Sequence, residues 1–321
     1  MPCCACSRRN LAATHITPPD DFFMNKPSAS DALGIPPYGL TGICDCHTHV
    51  FPPSSQFPFA GNRHYTPDTA TVESLLSMHR RIGAERVVIV HPSPYGDDNS
   101  SLLWAMRTIG KNARGVAVIS DTTNTEMLNT LHQGGVRGTR LNLETIGQND
   151  PSVAQEQLLR TAKQVAPLGW HIQMYTNLGV ITGLHDTIMQ SAATVVIDHF
   201  GRLNAKAGLN QPGFDALLSL VRSGKVYVKL SAGYRVSEEH DYTDLDPFAD
   251  ALIAANPDRM LWGTDWPHPF PPKGTVRSPD VIEKAHPEDN VAAIRRVVRW
   301  ARTTDIAQKI LVDNPARLYD F

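Results

Sequence analysis

The chain is poor in cysteine, in aromatic residues, in net charge and in long apolar runs. Five cysteines in 321 residues are too few, and too oddly placed, for a disulfide framework. Three crowd at Cys3, Cys4 and Cys6, and two flank Asp45 in an expected buried strand. That usage fits a reducing compartment, and a cytoplasmic location is expected. A formal charge of -2 offers no field to gather nucleic acid or an anionic membrane surface. No apolar run approaches the ~18 residues needed to span a bilayer. Ser7, Arg8 and Arg9 faintly resemble a twin-arginine export signal, but the apolar stretch that should follow is missing. No glycine-rich phosphate fingerprint follows any expected strand, which weighs against an open dinucleotide-binding sheet. What is abundant is ordinary: 41% hydrophobic and 19% charged residues, the balance of a globular enzyme.

Residues 1–38 carry Pro18, Pro19, Pro27, Pro36 and Pro37 and read as a tail or wrapping arm. From 39 to 321 one alternation runs to the end. Short apolar strands are expected at 43–50, 86–90, 115–119, 136–143, 170–175, 194–199, 226–230 and 260–265. Helical periodicity fills the gaps at 71–82, 100–109, 124–133, 152–165, 180–190, 214–222 and 248–255, with closing helices at 290–300 and 305–312. Eight strand–helix units in one chain of this length predict an α/β fold, a single (β/α)8 barrel. Between the first strand and the first helix lies a loop rich in proline and aromatics, 51–68. It is long enough to cover a site.

In such barrels the chemistry gathers at the C-terminal ends of the strands. The first strand ends in His47 and His49, whose two-residue spacing projects both imidazoles to one side. Such a pair can hold a metal or hydrogen-bond a ligand. The last strand ends in Asp265, with His268 just beyond. Between them the strand ends present His91, Arg140 with Asn142, Tyr175, Asp198 with His199 and Arg202, and Arg235. Several have plain alternatives. His91 could simply cap a strand, Asp198 is expected to turn outward or hold a helix N-terminus, and Lys229 could form a salt bridge within a barrel layer. Three arginines at the ends of one barrel are better explained by an anionic ligand, because the guanidinium fork matches a carboxylate.

The start D-C-H-T-H-V, the F-P-F loop, V-I-D-H-F-G-R and above all L-W-G-T-D-W-P-H-P resemble the amidohydrolase superfamily. The closest branch holds 2-pyrone-4,6-dicarboxylate lactonase, sulfomuconolactonase and sugar lactonases or lactone isomerases. The resemblance runs from Gly42 to Tyr319. It implies that His47, His49, His199 and Asp265 stand at the family's metal-centre positions. It also implies that Arg140, Tyr175, Arg202, Arg235 and His268 face substrate. The chain departs from the wider superfamily at two strands. The fourth ends in Arg140 and Asn142 where many members carry a metal-bridging lysine, and the fifth ends in Gln173 and Tyr175 where many carry a histidine. A two-metal centre is therefore not expected. No cofactor is expected to be required, and if one divalent ion is held, zinc or manganese, its ligands are His47, His49, His199 and Asp265.

The function these readings imply is catabolic hydrolysis of a small anionic lactone. Asp265 acts as general base on water, His199, His47 and His49 steady the oxyanion, and Arg140, Arg202, Arg235, Tyr175, His268 and His91 receive the substrate. Isomerisation of a sugar-acid lactone and single-metal hydrolysis or decarboxylation of an aromatic acid are the rival chemistries. A barrel that only binds is a rival of another class, and the presence of Asp265 speaks against it. The expected partner is the small molecule, with no nucleic acid and no membrane. Monomer and homo-oligomer both remain open.

Overall fold

The computed structural model of the protein describes residues 39–271 and 274–321. The expected N-terminal arm, with Cys3, Cys4 and Cys6, lies outside the described residues. Eight strands form one parallel sheet in sequential order: β1 (Cys44–Thr48), β2 (Arg86–Val90), β3 (Ala113–Ala117), β4 (Val136–Asn142), β5 (His171–Tyr175), β6 (Val195–Ile197), β7 (Val226–Ser231) and β8 (Met260–Gly263). Helices separate them, and three matter below: α1 (Val72–Ile82), α2 (Ser100–Ile109) and α3 (Asn290–Ala301). The helices begin where capping residues dictate. Thr71 accepts from the Ser74 amide ahead of α1, and Asp289 accepts from the Val291 and Ala292 amides ahead of α3.

The sheet closes on itself just past β8. The Asp265 amide donates to the His47 carbonyl at 2.8 Å, and the His49 amide donates to the Trp266 carbonyl at 2.7 Å. Below this seam Asp45 accepts from the Thr264 amide at 2.9 Å and its hydroxyl at 2.6 Å, and meets His79 of α1 at 3.1 Å. Gly263 is obligatory here, because a Cβ on it would lie 2.6 Å from the His47 amide nitrogen. The seam therefore fixes His47, His49 and Asp265 against one another through backbone contacts.

Alternation along β1 is broken. Its register against β2 shifts between Asp45 and Thr48, a bulge that changes which way the following side chains point. Cys44 and Cys46 pack inside the barrel with Val88, Val90, Val116 and Leu261, while Asp45 reaches outward to α1. Past the bulge, His47 turns inward toward Lys229 and Asp198.

Several element bounds differ from expectation, two of them at glycines that allow close packing. β3 begins at Ala113, two residues early, because Gly115 lets α2 lie directly on the strand: a Cβ there would sit 2.6 Å from Met106 Sδ. The helix expected at 180–190 is two, Leu178–Gly183 and His185–Gln190. Gly183 packs on Pro151, where an added Cβ would meet Pro151 Cβ at 2.5 Å.

The aromatic loop after β1 does cover the barrel mouth. Thr66–Pro67 pairs with Ile282–Glu283 in a two-stranded ladder. Arg63 and Thr66 both donate to the Pro279 carbonyl. The loops after β1 and β8 are thus joined over the C-terminal end. No helix among the described residues is long and apolar enough to cross a membrane.

Candidate active site

Asp265 lies at the centre of the seam, fully buried, with φ of 61°. His199, Arg202, Ala232 and His268 also adopt left-handed backbone conformations at strand ends. Non-glycine residues take this conformation at a cost, and it gathers where function requires particular side-chain directions.

The Asp265 carboxylate has two different ends. Oδ2 accepts from Arg235 Nε at 2.8 Å and from the Tyr234 hydroxyl at 2.5 Å. Oδ1 accepts nothing, yet the Nε2 atoms of His49, His47 and His199 stand 3.3, 3.5 and 3.9 Å from it. Burial alone would raise the Asp265 carboxyl. Arg235 and then His199 outweigh it and hold the group well below the usual carboxylate range. Burial pushes the Tyr234 phenol well up, and the Asp265 charge adds to that, so it stays a donor.

His47 and His199 are kept neutral. Burial, then Lys229, lowers His47 to about 4, and burial lowers His199 well below its ordinary value. His49 Nδ1 lies 2.8 Å from the Val90 carbonyl, which can only accept. A proton therefore sits on His49 Nδ1, and Nε2 is the nitrogen turned toward Asp265. His199 Nδ1 meets the Ser231 hydroxyl at 2.8 Å.

A second carboxylate lies beneath. Contrary to the outward orientation expected, Asp198 is fully buried and turned into the barrel. It accepts from Gln173 Nε2 at 3.0 Å and faces Lys229 Nζ at 3.4 Å and Arg140 Nη2 at 3.7 Å. Lys229 forms the in-barrel salt bridge the alternation of β7 suggested. Burial raises the Asp198 carboxyl, and Lys229 with His47 more than reverses this. Each buried carboxylate thus has its own cation: Asp198 has Lys229, Asp265 has Arg235.

Above the centre opens a cavity of about 440 Å³ lined by His49, Tyr175, Arg140, Arg202, Arg235 and residues of the two joined loops. The three arginines do converge, each guanidinium within 6 Å of the Tyr175 ring. Their donors are not equally available. Arg202 pairs with Glu144 at 3.3 Å and donates to the Arg235 carbonyl. Arg235 uses Nε on Asp265, Nη1 on the Tyr175 hydroxyl at 3.2 Å and Nη2 on the Pro269 carbonyl. Arg140 keeps a buried Nε with no acceptor. The three were expected to share one role; of them, only Arg140 keeps a buried guanidinium nitrogen with no acceptor.

Two expected binding residues lie off the cavity wall. His91 Nε2 bonds the Gly96 carbonyl at 3.0 Å, and burial lowers the ring to about 4. His268 bonds Asn290 at the head of α3 at 3.0 Å. Conversely, Tyr234 and the cavity-lining His64, Tyr65, Ser93 and Arg277 escaped sequence reasoning. Arg277 also keeps a buried Nε without an acceptor, and its guanidinium lies 4.1 Å over the Tyr65 ring. Only the pairing of two loops more than 200 residues apart brings Arg277 to Tyr65, and no local pattern carries that information.

His47, His49, His199 and Asp265 could together hold one divalent ion. His47, His49 and Asp265 already form one compact donor group, and His47, Asp198 and His199 another. Nitrogen and carboxylate donors of this kind suit zinc or manganese. The hydrogen bonds of His49 and His199 through Nδ1 are those that imidazole ligands commonly carry. β4 and β5 end in Arg140, Asn142, Gln173 and Tyr175, none of them a lysine, histidine or carboxylate.

The sequence profile of the amidohydrolase family matches residues 44–321. The 2-pyrone-4,6-dicarboxylate hydrolase of Comamonas testosteroni is 34% identical over 288 residues, 87% of this chain and 90% of that protein. The 4-sulfomuconolactone hydrolase of Rhizobium radiobacter is 36% identical over 282 residues, again 87% and 90%. Among solved structures, a probable 2-pyrone-4,6-dicarboxylic acid hydrolase of Acinetobacter baumannii, with citric acid bound, superposes with a TM-score of 0.73. It is 26% identical, over 88% of this chain and all of that one.

Proposed function

The chain belongs to the amidohydrolase family, and from that premise we propose that it is a lactonase, opening the ring of a small carboxylated lactone with water. One observation carries the reading: an ionised, half-unpaired carboxylate, Asp265 Oδ1, faces three imidazoles beneath a cavity whose wall holds the unpartnered Arg140 Nε. Relatives that hydrolyse a pyrone dicarboxylate and a sulfonated lactone, and one that holds citric acid, support an anionic substrate.

The residues divide the work as follows. Arg140 Nε and the Tyr175 hydroxyl receive a carboxylate of the substrate and set the ring carbonyl over the histidines. Arg235 and Arg202 contribute positive potential to the same wall while holding Asp265 and Glu144. The attacking water lies between Asp265 Oδ1 and His49 Nε2. Asp265 takes its proton as the new C–O bond forms. Donor imidazoles stabilise the oxyanion. The intermediate collapses, the ring C–O bond breaks, and Asp265 returns the proton to the leaving oxygen, giving a hydroxyl or enol and a carboxylic acid, which releases its proton to solvent as the carboxylate. An ion held by His47, His49, His199 and Asp265 would supply Lewis-acid charge at the same carbonyl.

Two accompanying expectations belong to the same proposal. The free, buried thiols of Cys44 and Cys46 suit a cytoplasmic enzyme, and the partner is the small anionic molecule. The test is a panel of carboxylated, sulfonated and neutral lactones, reading proton release, with Asp265→Asn as control. Asp265→Asn should lower kcat by roughly 10²–10⁴-fold, the usual worth of a positioned base, while still folding cooperatively, with a lower thermal transition because Arg235 loses its buried counter-charge. No turnover of any carboxylated or sulfonated lactone by the wild type would refute the proposal.

A further inference from the structure

Glu144 is an acidic residue on the wall of a cavity built to receive an anion. It follows Arg140 and Asn142 at two-residue steps, the spacing that keeps strand residues on one face, and all three line the cavity. Its backbone carries the β4–β5 ladder one step beyond Asn142: the Glu144 amide donates to the Tyr175 carbonyl at 3.0 Å. Strand geometry therefore sets where this carboxylate lies. Arg202 Nε and Nη2 both donate to one of its oxygens, Oε1, at 3.4 and 3.3 Å. The other, Oε2, accepts no hydrogen bond from a side chain among the described residues. We propose that Glu144 is a specificity-determining residue: Oε2 accepts a hydrogen bond from a hydroxyl of the substrate, and the charge turns away a second anionic group at that point of the wall. The substrate is then a carboxylated lactone that also carries a free hydroxyl. This rests on the lactonase reading for the ring being opened, not for the binding.

The argument is one of donors and charge. Every nitrogen of Arg202 is engaged: Nε and Nη2 on Glu144, and Nη1 on the Arg235 carbonyl. The Arg202–Glu144 pair is neutral as a whole and brings no unmatched positive charge to a ligand. A substrate carboxylate seeking Arg202 must lie against the Glu144 carboxylate or displace it, and like charges at contact distance repel. A hydroxyl meets no such cost. It donates to Oε2, and hydrogen bonds to an ionised acceptor are the stronger kind.

Arg140 sets the opposite requirement. It is buried, and its Nε has no acceptor. Its guanidinium lies 5.4 Å from the Tyr175 ring, and that of Arg202 lies 5.8 Å from the same ring. One aromatic ring is thus flanked by a guanidinium that lacks an acceptor and by an ion pair whose outer oxygen lacks a donor. A hydroxy acid matches both, with its carboxylate on Arg140 and its hydroxyl on Glu144. A diacid matches only the first.

The experiment uses matched trios of carboxylated lactones: one with a ring hydroxyl, one with hydrogen in its place, and one with a second carboxylate in its place, the substituent being moved around the ring. On the full chain, kcat/KM is read by proton release, and Kd of the corresponding lactams, which resist opening, by calorimetry. Wild type should favour one hydroxylated member over its deoxy partner by roughly ten- to a hundredfold, with the diacid no better than the deoxy compound. Glu144→Ala should erase the preference for the hydroxyl. Glu144→Gln keeps an accepting carbonyl but loses the charge and releases Arg202. It should retain part of that preference and improve the diacid by roughly tenfold or more. A wild type that shows no hydroxyl preference in either measurement, or that prefers the diacid, overturns the proposal whether or not the variants fold. So do folded variants with wild-type ratios. Hydroxyl-selective lactam binding that Glu144→Ala abolishes, with no lactone turned over, would sink the lactonase reading and leave this one standing. Equal turnover of all three members of every trio would do the reverse.

Discussion

Arg235 donates from Nε to Asp265 Oδ2 at 2.8 Å, and this contact divides the carboxylate into a structural end and a chemical end. Oδ2 is occupied by Arg235 and Tyr234, so Oδ1 is the oxygen left for a proton. Arg235 is also the largest counterweight to burial in setting the charge of Asp265. Removing it should let burial dominate and raise the Asp265 carboxyl. The acid limb of kcat/KM should then move to higher pH in Arg235→Met. An unmoved acid limb would mean that Asp265 is not the group titrating in catalysis.

Arg140→Met should behave differently, because its Nε is free for a ligand. Losing a charged hydrogen bond to substrate costs about 1.5–3 kcal/mol, or roughly ten- to a hundredfold. That loss should fall on carboxylated lactones and largely spare neutral ones, with the pH profile unchanged. Steady-state kinetics on a matched pair of substrates checks it. Equal losses on both would make Arg140 a structural residue held by Asp198.

Acid should weaken the fold before it protonates the buried carboxylates. Burial lowers His47 and His91 to about 4 and His171 to about 3, from an ordinary 6.5. Between those values and 6.5 the unfolded chain binds more protons than the folded one. The stability these groups contribute is complete above about 6.5 and is lost as pH falls below it, on the order of 1–2 kcal/mol for each group by about pH 5. Asp198 and Asp265, depressed below 3.8, add their loss only under still more acid conditions. Urea midpoints at pH 7, 6 and 5 should fall steadily, and His171→Asn should flatten the slope. A midpoint independent of pH over this range would contradict the neutral, buried imidazoles.

Gly263→Ala should damage both fold and site. The new Cβ would meet the His47 backbone nitrogen and Cβ at 2.6 Å, at the seam that closes the barrel. Backbone cannot move aside as a flexible side chain can. Overpacking of this kind costs about 1–3 kcal/mol, and His47 would be displaced relative to Asp265. A lower melting temperature with a disproportionate loss of kcat is expected. Wild-type values of both would show that the seam is loose.

Removal of divalent ions should leave activity in place. Asp198 and Asp265 are each balanced by a buried cation, so an added ion would bring uncompensated positive charge into the centre. Prolonged chelation followed by assay checks this, with metal content measured in parallel. Activity lost on chelation and restored by zinc or manganese would make His47, His49, His199 and Asp265 ligands first.

Much of this was legible in the residues. The repeated apolar run, helix and turn determined eight strand–helix units, because burial on both faces and an amphipathic helical stripe leave distinct periods. The strand-end residues His47, His49, His199, Arg140, Tyr175 and Asp265 could be named because a parallel barrel has one reactive end. Partners could not be named, since a partner is a long-range property. Nothing near Asp198 in sequence says that it faces Lys229, or that Arg235 belongs to Asp265 more than to a ligand. Strict alternation would also have put Asp45 on the same side as His47. Only the bulge in β1, set by its register against β2, sends Asp45 out to His79 and turns His47 in. The chain alone supplied the groups. Tertiary structure decided which of them are free to act, because each hydrogen-bond donor or lone pair used in holding the barrel together is withdrawn from chemistry.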